Sequence, residues 1–314
     1  MMQESHRLSI REKVGYGLGD NASNLYFQMF MIYLVFFYTD VFGISAAAVG
    51  TMLFVSRFWD AVNDPLMGII SDRTNTRWGK FRPYLLWISI PIAVIGVATF
   101  FTPDLGPTGK LVYAYITYTL MMMAYTAINI PYSALMGVLS PDSLERTSVS
   151  TFRFVLAFIG AFVIQGCTLP MVRFFGGDDQ AVGFPLAMGV YGLVAAVLFY
   201  ITFATTRERV QPPKSQTVSL KNDLKDLSGN HPWMILLVMS ISSLAYAVIR
   251  SGTIMFFFKY NMGDEGRSSV FMLTGTLAVI AGVAATQFLS RRLGKKRLYL
   301  MVMGLSTLLT CLFY

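Results

Sequence analysis

The sequence predicts an all-α membrane protein, and three observations support this fold class. Of the 314 residues, 54% are hydrophobic and only 13% are Asp, Glu, Lys or Arg, about half the charged fraction of a soluble protein. The charges fall in short runs, separated by uncharged stretches close to the roughly 20 residues that a helix needs to cross a bilayer. The basic residues also lie mainly on one side of the predicted bundle. These features exclude a disordered chain and an ordinary soluble protein.

Nine membrane-spanning helices are expected. They lie at about residues 20–41, 45–71, 83–102, 110–137, 147–173, 181–204, 232–257, 268–289 and 298–314. Arg57, Asp60 and Asp64 interrupt the second segment, but without it the flanking apolar residues would form an implausibly long loop. The first helix has an alternative start near Arg11, which would bring Asp20 closer to the middle of the membrane.

The basic residues predict the orientation, because Lys and Arg resist translocation and mark cytoplasmic loops. Eighteen of the 25 lie at the N-terminus or in loops on the same side, four lie on the other side, and Arg57, Arg153 and Arg250 lie within helices. We expect a multi-pass protein of a bacterial cytoplasmic membrane with a cytoplasmic N-terminus. The net charge of +8 is explained by these loops, so the partner is the lipid bilayer and no nucleic acid is expected.

Two basic, glycine-containing turns six helices apart indicate a duplicated six-helix unit. They lie at residues 71–82 and 290–297. We expect an N-terminal six-helix bundle over residues 1–205 and a partial C-terminal bundle, helices seven to nine, over 232–314. Between them we expect a cytoplasmic linker over 206–231, which contains a short surface helix at residues 221–226. Since a duplicated unit has twelve helices, we expect the chain to be truncated.

Two carboxylates in the second segment are the strongest functional signal. Asp60 and Asp64 lie about 40° apart on a helix, and Asn63 adjoins them, so three oxygen-bearing side chains converge within one turn. Carboxylates in a membrane are costly and need a cation or a proton, and hard oxygen ligands suit Na⁺, Li⁺ or H⁺. The alternative is a structural ion pair between Arg57 and Asp60, although one arginine cannot neutralise two carboxylates.

A polar stripe on the first segment indicates a polar lumen. Asp20, Asn24 and Gln28 recur every four residues and face the same way, and we predict that Asp20 and Asn24 bind substrate. The alternative for Asp20 is a helix cap at the cytoplasmic interface. Arg153 has a planar guanidinium with five donors, which either binds sugar hydroxyls or pairs with Asp20. Its alternative is to extend to the interface.

The fourth segment carries hydroxyl and amide groups at helical spacing. They are Tyr125, Thr126, Asn129, Tyr132 and Ser133. Taken singly, such groups hydrogen-bond either to neighbouring helices or to a ligand, whereas the whole cluster favours a ligand.

Enzymatic chemistry has no candidate residues, so we expect neither catalysis nor a cofactor. The sequence contains no nucleophile elbow, phosphate loop or zinc-ligand spacing. Cys167 and Cys311 both lie inside apolar runs, where packing is the expected role.

Three motifs are more specific than these patterns. They are Arg57-Phe-Trp-Asp-Ala-Val-Asn-Asp-Pro-Leu-Met-Gly, Arg77-Trp-Gly-Lys-Phe-Arg-Pro and Asn129-Ile-Pro-Tyr. On these motifs the chain resembles the glycoside-pentoside-hexuronide:cation symporter family of the major facilitator superfamily, whose best-known member is the melibiose permease. The resemblance implies a twelve-helix major facilitator-type bundle with a sugar site between two six-helix halves. This chain would hold the first half and about three helices of the second.

The resemblance also implies roles for individual residues. The cation-site positions of the family fall on Asp60, Asn63, Asp64 and Thr126. The positions that contact sugar fall on Asp20, Tyr125 and Arg153. The melibiose permease has Asp at the position of Asn129 and a sugar-stacking Trp at that of Ser133, so galactoside specificity is not implied. Tyr132 is a candidate for the missing aromatic surface.

Our hypothesis is a monomeric secondary transporter that couples uptake of a sugar or glycoside to a monovalent cation, Na⁺, Li⁺ or H⁺. Asp60 and Asp64 would bind the cation, and Asp20, Asn129 and Arg153 would hold the sugar. The alternative is a truncated, non-transporting fragment or a sugar-binding sensory module. Export of hydrophobic cations is disfavoured, because it does not need paired carboxylates beside a polar lumen.

Overall fold

The computed structural model describes residues 7–210, 229–293 and 295–312. Within these ranges the chain is helical, and the β-structure is a single isolated bridge between Thr76 and Gly79. The surface helix expected at residues 221–226 lies outside the described residues. The all-α prediction is confirmed.

Ten α-helices, some extended by π-helical turns, make up the described chain. They are α1 (Ile10–Met29, continued by the π-turns Phe30–Leu34 and Phe37–Val41), α2 (Ala46–Arg73), α3 (Arg82–Trp87), α4 (Ser89–Thr99), α5 (Pro107–Leu139), α6 (Ser143–Gly176), α7 (Gln180–Thr205), α8 (His231–Phe256, continued by the π-turn Phe257–Asn261), α9 (Gly266–Leu293) and α10 (Lys295–Leu312). Each of the nine predicted segments overlaps one helix, except the third, which is divided between α3 and α4.

Judged by length and apolar composition alone, four described helices could cross a membrane. They are Pro107–Leu139, Ser148–Gly176, Gln180–Thr205 and His231–Asn261. Together with the remaining helices they support a multi-pass membrane protein.

The first helix begins about ten residues earlier than the segment predicted from residue 20. The hydroxyl of Ser9 caps it by accepting a hydrogen bond from the Glu12 N–H at 3.2 Å. This start places Asp20 in the middle of α1, where the residue is only 6% exposed. Asp20 is therefore not a helix cap.

Glycines explain why this polar stretch of α1 is buried. A Cβ atom added at Gly17 would lie 2.7 Å from the Leu156 side chain on α6, and one at Gly19 would lie 2.5 Å from the Tyr132 ring on α5. Such distances require a residue without a side chain, and small residues let membrane helices approach closely. As a result α1 packs along α6 and α7.

Ion pairs connect the N-terminal end of α1 to α6 and to the residues that follow α7. Lys13 Nζ lies 2.8 Å from Glu145 Oε2 at the start of α6, and the same oxygen accepts the Leu8 N–H at 3.1 Å. The hydrogen bond from Lys13 lowers the pKa of the Glu145 carboxyl. Arg209, just beyond α7, donates from Nη2 to Glu12 Oε2 at 2.9 Å.

The same local structure occurs twice, 220 residues apart. The π-turn Phe37–Val41 is followed by Gly43 with φ of 82°, and the π-turn Phe257–Asn261 by Gly263 with φ of 64°. Both glycines adopt the left-handed conformation that other residues rarely take. The equivalent hydrogen bonds Ile44 N–H to Tyr38 O and Asp264 N–H to Phe258 O measure 3.0 and 3.1 Å. This correspondence supports the predicted duplication.

The two copies of this structure contact each other. Asp40 Oδ1 accepts hydrogen bonds from Lys259 Nζ and from the Tyr260 hydroxyl, both at 2.6 Å. The Lys259 ammonium also lies 4.9 Å from the centre of the Phe36 ring. The end of α1 is therefore joined to the end of α8 by charge as well as by packing.

Candidate functional site

The paired carboxylates of α2 face α5. Asp64 Oδ1 accepts a hydrogen bond from the Thr126 hydroxyl at 2.8 Å, which joins the two helices through a residue that is 7% exposed. Asp60 lies one turn earlier on the same face, with a side chain that is 18% exposed. The structure thus brings Asp60, Asp64 and Thr126 together, an arrangement of oxygen atoms suited to a small hard cation.

Among the described residues, Arg57 is the basic side chain that forms an ion pair with these carboxylates, and that ion pair is weak. Arg57 Nη1 lies 3.4 Å from Asp60 Oδ2, and its own side chain is 62% exposed. Within the described ranges, Asp60 Oδ1 and Asn63 Nδ2 are buried without a hydrogen-bond partner. An exposed ion pair of this length contributes little. Arg57 therefore does not account for both carboxylates, and the buried Asp60 oxygen remains available to a ligand.

These groups open into a cavity of about 210 Å³ between α1, α2 and α5. Its lining combines polar and apolar groups: Phe27, Phe30, Met31, Arg57, Asp60, Asp64, Tyr118, Met122, Tyr125, Thr126, Asn129 and Ile130. Asn63 does not line it, so the structure brings this predicted ligand near the carboxylates but not to the cavity surface.

The predicted pairing of Asp20 with Arg153 is present. Arg153 Nε lies 3.1 Å from Asp20 Oδ1, and the two side chains are 25% and 9% exposed. The Nε–H makes no hydrogen bond to any described residue, so the contact is ionic and the guanidinium keeps donors free for a ligand. Arg153 is directed towards Asp20 inside the helix bundle.

Asp20 and Arg153 line a second cavity, of about 330 Å³, between α1, α5 and α6. Its lining is Asp20, Ser23, Asn24, Phe27, Gln28, Tyr125, Asn129, Arg153, Phe154, Ala157, Phe158 and Ala161. Its volume lies at the small end of the roughly 300–1,000 Å³ typical of small-molecule sites. We call it the sugar cavity after the ligand that the sequence analysis predicts for Asp20 and Arg153. Asn24, Tyr125 and Asn129 all reach it, as the sequence predicts.

Tyr132 does not reach either cavity. Its ring is fully buried and stacks on Tyr16 with a centroid separation of 4.6 Å. Each tyrosine hydroxyl donates to the other's backbone carbonyl, at 3.0 Å from Tyr16 and 2.8 Å from Tyr132. The Arg153 guanidinium lies 5.6 Å from the Tyr132 ring centre. Tyr132 therefore supports Arg153 from behind instead of offering an aromatic surface to a ligand.

The two cavities share three side chains. The sequence analysis did not predict that these residues would form a common wall. Phe27, Tyr125 and Asn129 line both cavities. Tyr125 and Asn129 lie one turn apart on α5, on either side of Thr126, so the helix that contacts the carboxylates also forms the wall of the sugar cavity. A helical-wheel comparison of α1 with α5 would have shown which residues share a face on each helix. It would not have shown that these two faces meet between the cavities.

A third cavity, of about 210 Å³, lies between α1, α6, α8 and α9. It is lined by Gln28, Ile32, Gln165, Arg250, Ile254, Phe271, Met272, Gly275, Thr276 and Val279. These residues come from both sides of the predicted linker. Gln28 lines this cavity as well as the sugar cavity.

Comparison with known proteins yields one family and several relatives. The family described as "MFS/sugar transport protein" matches residues 15–314. The chain is 43% identical to "Putative glycoside/cation symporter YagG" of Escherichia coli (strain K12), over 92% of this chain and 62% of that protein. It is 41% identical to "Inner membrane symporter YicJ" of the same organism, over 90% of this chain and 61% of that protein.

A further relative carries a specific substrate in its name. The chain is 41% identical to "Isoprimeverose transporter" of Lactiplantibacillus pentosus, over 94% of this chain and 62% of that protein. The chain thus spans about three fifths of the length of these relatives.

Proposed function

The chain belongs to the MFS/sugar transport protein family, and on that premise we propose that it carries the cation and sugar sites of a cation-coupled sugar symporter. The observation that carries the proposal is the Asp64–Thr126 hydrogen bond beside the unpartnered Asp60 oxygen, in a cavity that shares a wall with the Asp20–Arg153 cavity. The names of the relatives above, two symporters and a transporter, support this class of function.

The coupling cation would bind between α2 and α5. Asp60 and Asp64 provide two carboxylates against one exposed arginine, so the region has negative charge to spare for Na⁺, Li⁺ or H⁺. Thr126 would act as a positioning residue for Asp64 and as a neutral oxygen ligand. Asn63 would contribute its amide oxygen if the α2 backbone rotated slightly towards the cavity.

The sugar would bind in the cavity lined by Asp20 and Arg153. A carboxylate accepts hydrogen bonds from sugar hydroxyls, and a guanidinium donates to them from a rigid plane. Asn24 and Asn129 add amide groups, and Tyr125 and Phe27 provide ring surface. Tyr132 would hold Arg153 in place through the ring contact described above.

The shared wall provides the coupling between the two ligands. A cation that draws Asp64 and Thr126 together fixes α5 next to Tyr125 and Asn129, and this ordering favours sugar binding in the adjoining cavity. By thermodynamic linkage the sugar must then raise cation affinity by the same factor. A cation that enters down a potential of 100 mV supplies about 2.3 kcal/mol, and about 1.4 kcal/mol corresponds to tenfold accumulation.

The alternative, a non-transporting sugar-binding or sensory module, is not favoured by the relatives. We also propose that the N-terminus is cytoplasmic, since the loops on that side carry eighteen of the 25 basic residues. A monomer is sufficient for this function, because both cavities form within one chain.

The test is the sodium dependence of glycoside binding to the purified chain in lipid nanodiscs. Asp64→Ala should abolish the stimulation by Na⁺ or Li⁺, because it removes the carboxylate that Thr126 positions. Asp104→Asn is the matched control, since Asp104 is an exposed loop carboxylate outside both cavities. Unchanged stimulation in Asp64→Ala would refute the assignment.

A further inference from the structure

The third cavity adjoins the proposed sugar site. Gln28 on α1 lines both cavities, and no other side chain belongs to both linings. Gln28 lies eight residues after Asp20, which corresponds to about 12 Å along the helix axis. A ligand that extended from Asp20 and Arg153 past Gln28 would therefore reach the space beside α8 and α9.

The third cavity has hydrogen-bonding groups in fixed positions. The Thr276 hydroxyl on α9 donates to Gln165 Oε1 on α6. This bond occupies the amide oxygen of Gln165 and leaves its NH₂ group as a donor. Gln28 and Gln165 thus offer amides to a polar ligand, and Met272, which is 6% exposed, provides an apolar wall.

Arg250 gives this cavity a positive charge. Of the three arginines within predicted membrane segments, Arg57 lies near Asp60 and Arg153 near Asp20. For Arg250 the described residues provide no ion pair and no side-chain hydrogen bond. A charged side chain in a membrane segment is costly and marks a substrate path when it faces a cavity. The guanidinium is also a planar fork that matches a carboxylate with two parallel hydrogen bonds.

We propose that this cavity is a second substrate subsite, in which Arg250 binds a carboxylate on the distal part of a two-ring glycoside. The proposal rests on the proposed function, since the first ring occupies the Asp20–Arg153 cavity. The second ring passes Gln28 and enters the space between α6, α8 and α9. The substrate class is then a glycoside or disaccharide whose second ring is acidic.

The probes are matched ligands that differ in charge alone. Pairs of 4-carboxyphenyl and 4-carbamoylphenyl glycosides, made as glucosides, xylosides and galactosides, have the same two-ring length. Binding to the whole purified chain in nanodiscs is measured by calorimetry at saturating Na⁺. We expect at least one pair in which the carboxylate binds about tenfold to a hundredfold more tightly, the range for a hydrogen-bonded charge.

Two sets of variants test the location. Arg250→Gln should remove the preference for the carboxylate and leave the carbamoyl ligand unchanged, whereas Arg250→Lys should retain part of it. Arg267→Gln is the control, because Arg267 is exposed and pairs with Asp264 at 3.1 Å, outside the cavity.

The second set fills the cavity. A Cβ atom at Gly275, which lines the cavity, meets nothing within 4 Å, and the same holds for Gly252, which does not line it. Gly275→Leu should therefore weaken both two-ring ligands at least tenfold while the corresponding methyl glycoside binds as before. Gly252→Leu should change neither.

The outcomes separate the two proposals. Equal binding of the two aglycones, with no effect of Arg250→Gln or Gly275→Leu, overturns the second subsite and leaves the symporter proposal standing. If no glycoside binds at any Na⁺ concentration, the symporter proposal and the subsite both fail.

Discussion

The hydroxyl of Thr126 offers the sharpest perturbation of the proposed cation site. Thr126→Val replaces the hydroxyl by a methyl group of similar size and removes the 2.8 Å hydrogen bond to Asp64 Oδ1. A hydrogen bond to a charged group contributes about 1.5–3 kcal/mol, so cation affinity should fall about tenfold to a hundredfold. The carboxylate itself remains, and binding is expected to weaken without being abolished.

The assay is the Na⁺ concentration that gives half-maximal stimulation of glycoside binding. Thr117→Val is the matched control: Thr117 lies on the same helix, is 7% exposed, and donates to the Tyr113 carbonyl of its own helix at 2.9 Å. Thr126→Ser should restore near-normal affinity, since it keeps the hydroxyl. If Thr126→Val and Thr117→Val require the same Na⁺ concentration as the unmodified chain, the reasoning is refuted.

Three further predictions concern ion pairs elsewhere in the chain. Asp20→Asn should lower the free energy of unfolding by up to about 3 kcal/mol, the lower end of the cost of an uncompensated buried charge, because Arg153 is a quarter exposed. Thermal unfolding measures this, and the double variant with Arg153→Gln should recover stability but not sugar binding. Lys259→Gln should increase amide hydrogen exchange in the two π-turns, since it removes the ion pair to Asp40. Unchanged exchange would contradict a stabilising contact between the two turns. The hydrogen bond from Lys13 lowers the pKa of the Glu145 carboxyl. The stabilisation of the fold by this ion pair is therefore complete above the ordinary Glu pKa of about 4.3, and it is lost as the pH falls through the lowered pKa. Thermal scans from neutral to acidic pH should show this loss, and Glu145→Gln should lack it.

The proposed cation site was largely predictable because its main residues lie on one helix. Asp60 and Asp64 share a face through helical spacing alone, and this face remains polar in the structure. The contact with Thr126 depends on how α2 packs against α5, which helical spacing does not contain. Its place in the site came from the family resemblance.

Other features were outside the reach of sequence patterns. The start of α1 agrees with the alternative near Arg11 and not with the apolar segment from residue 20. Hydropathy registers apolar residues, whereas most of residues 15–19 are buried through close approach at glycines. Tyr132 shares the helical face of Tyr125 and Asn129 by spacing, yet Tyr16 covers its ring. The third cavity joins Gln28 to Arg250, which are 222 residues apart in the chain. The packing of the Phe30–Leu34 π-turn against α8, and of α6 against α9, brings them together.

The most direct test of the central claim is a pair of titrations on the same chain. One measures how much saturating Na⁺ raises glycoside affinity, and the other how much saturating glycoside raises Na⁺ affinity. Two ligands coupled through the shared wall of Phe27, Tyr125 and Asn129 must give equal factors well above one, and Asp64→Ala must reduce both to one. Equal affinities with and without the second ligand in the unmodified chain would contradict the account.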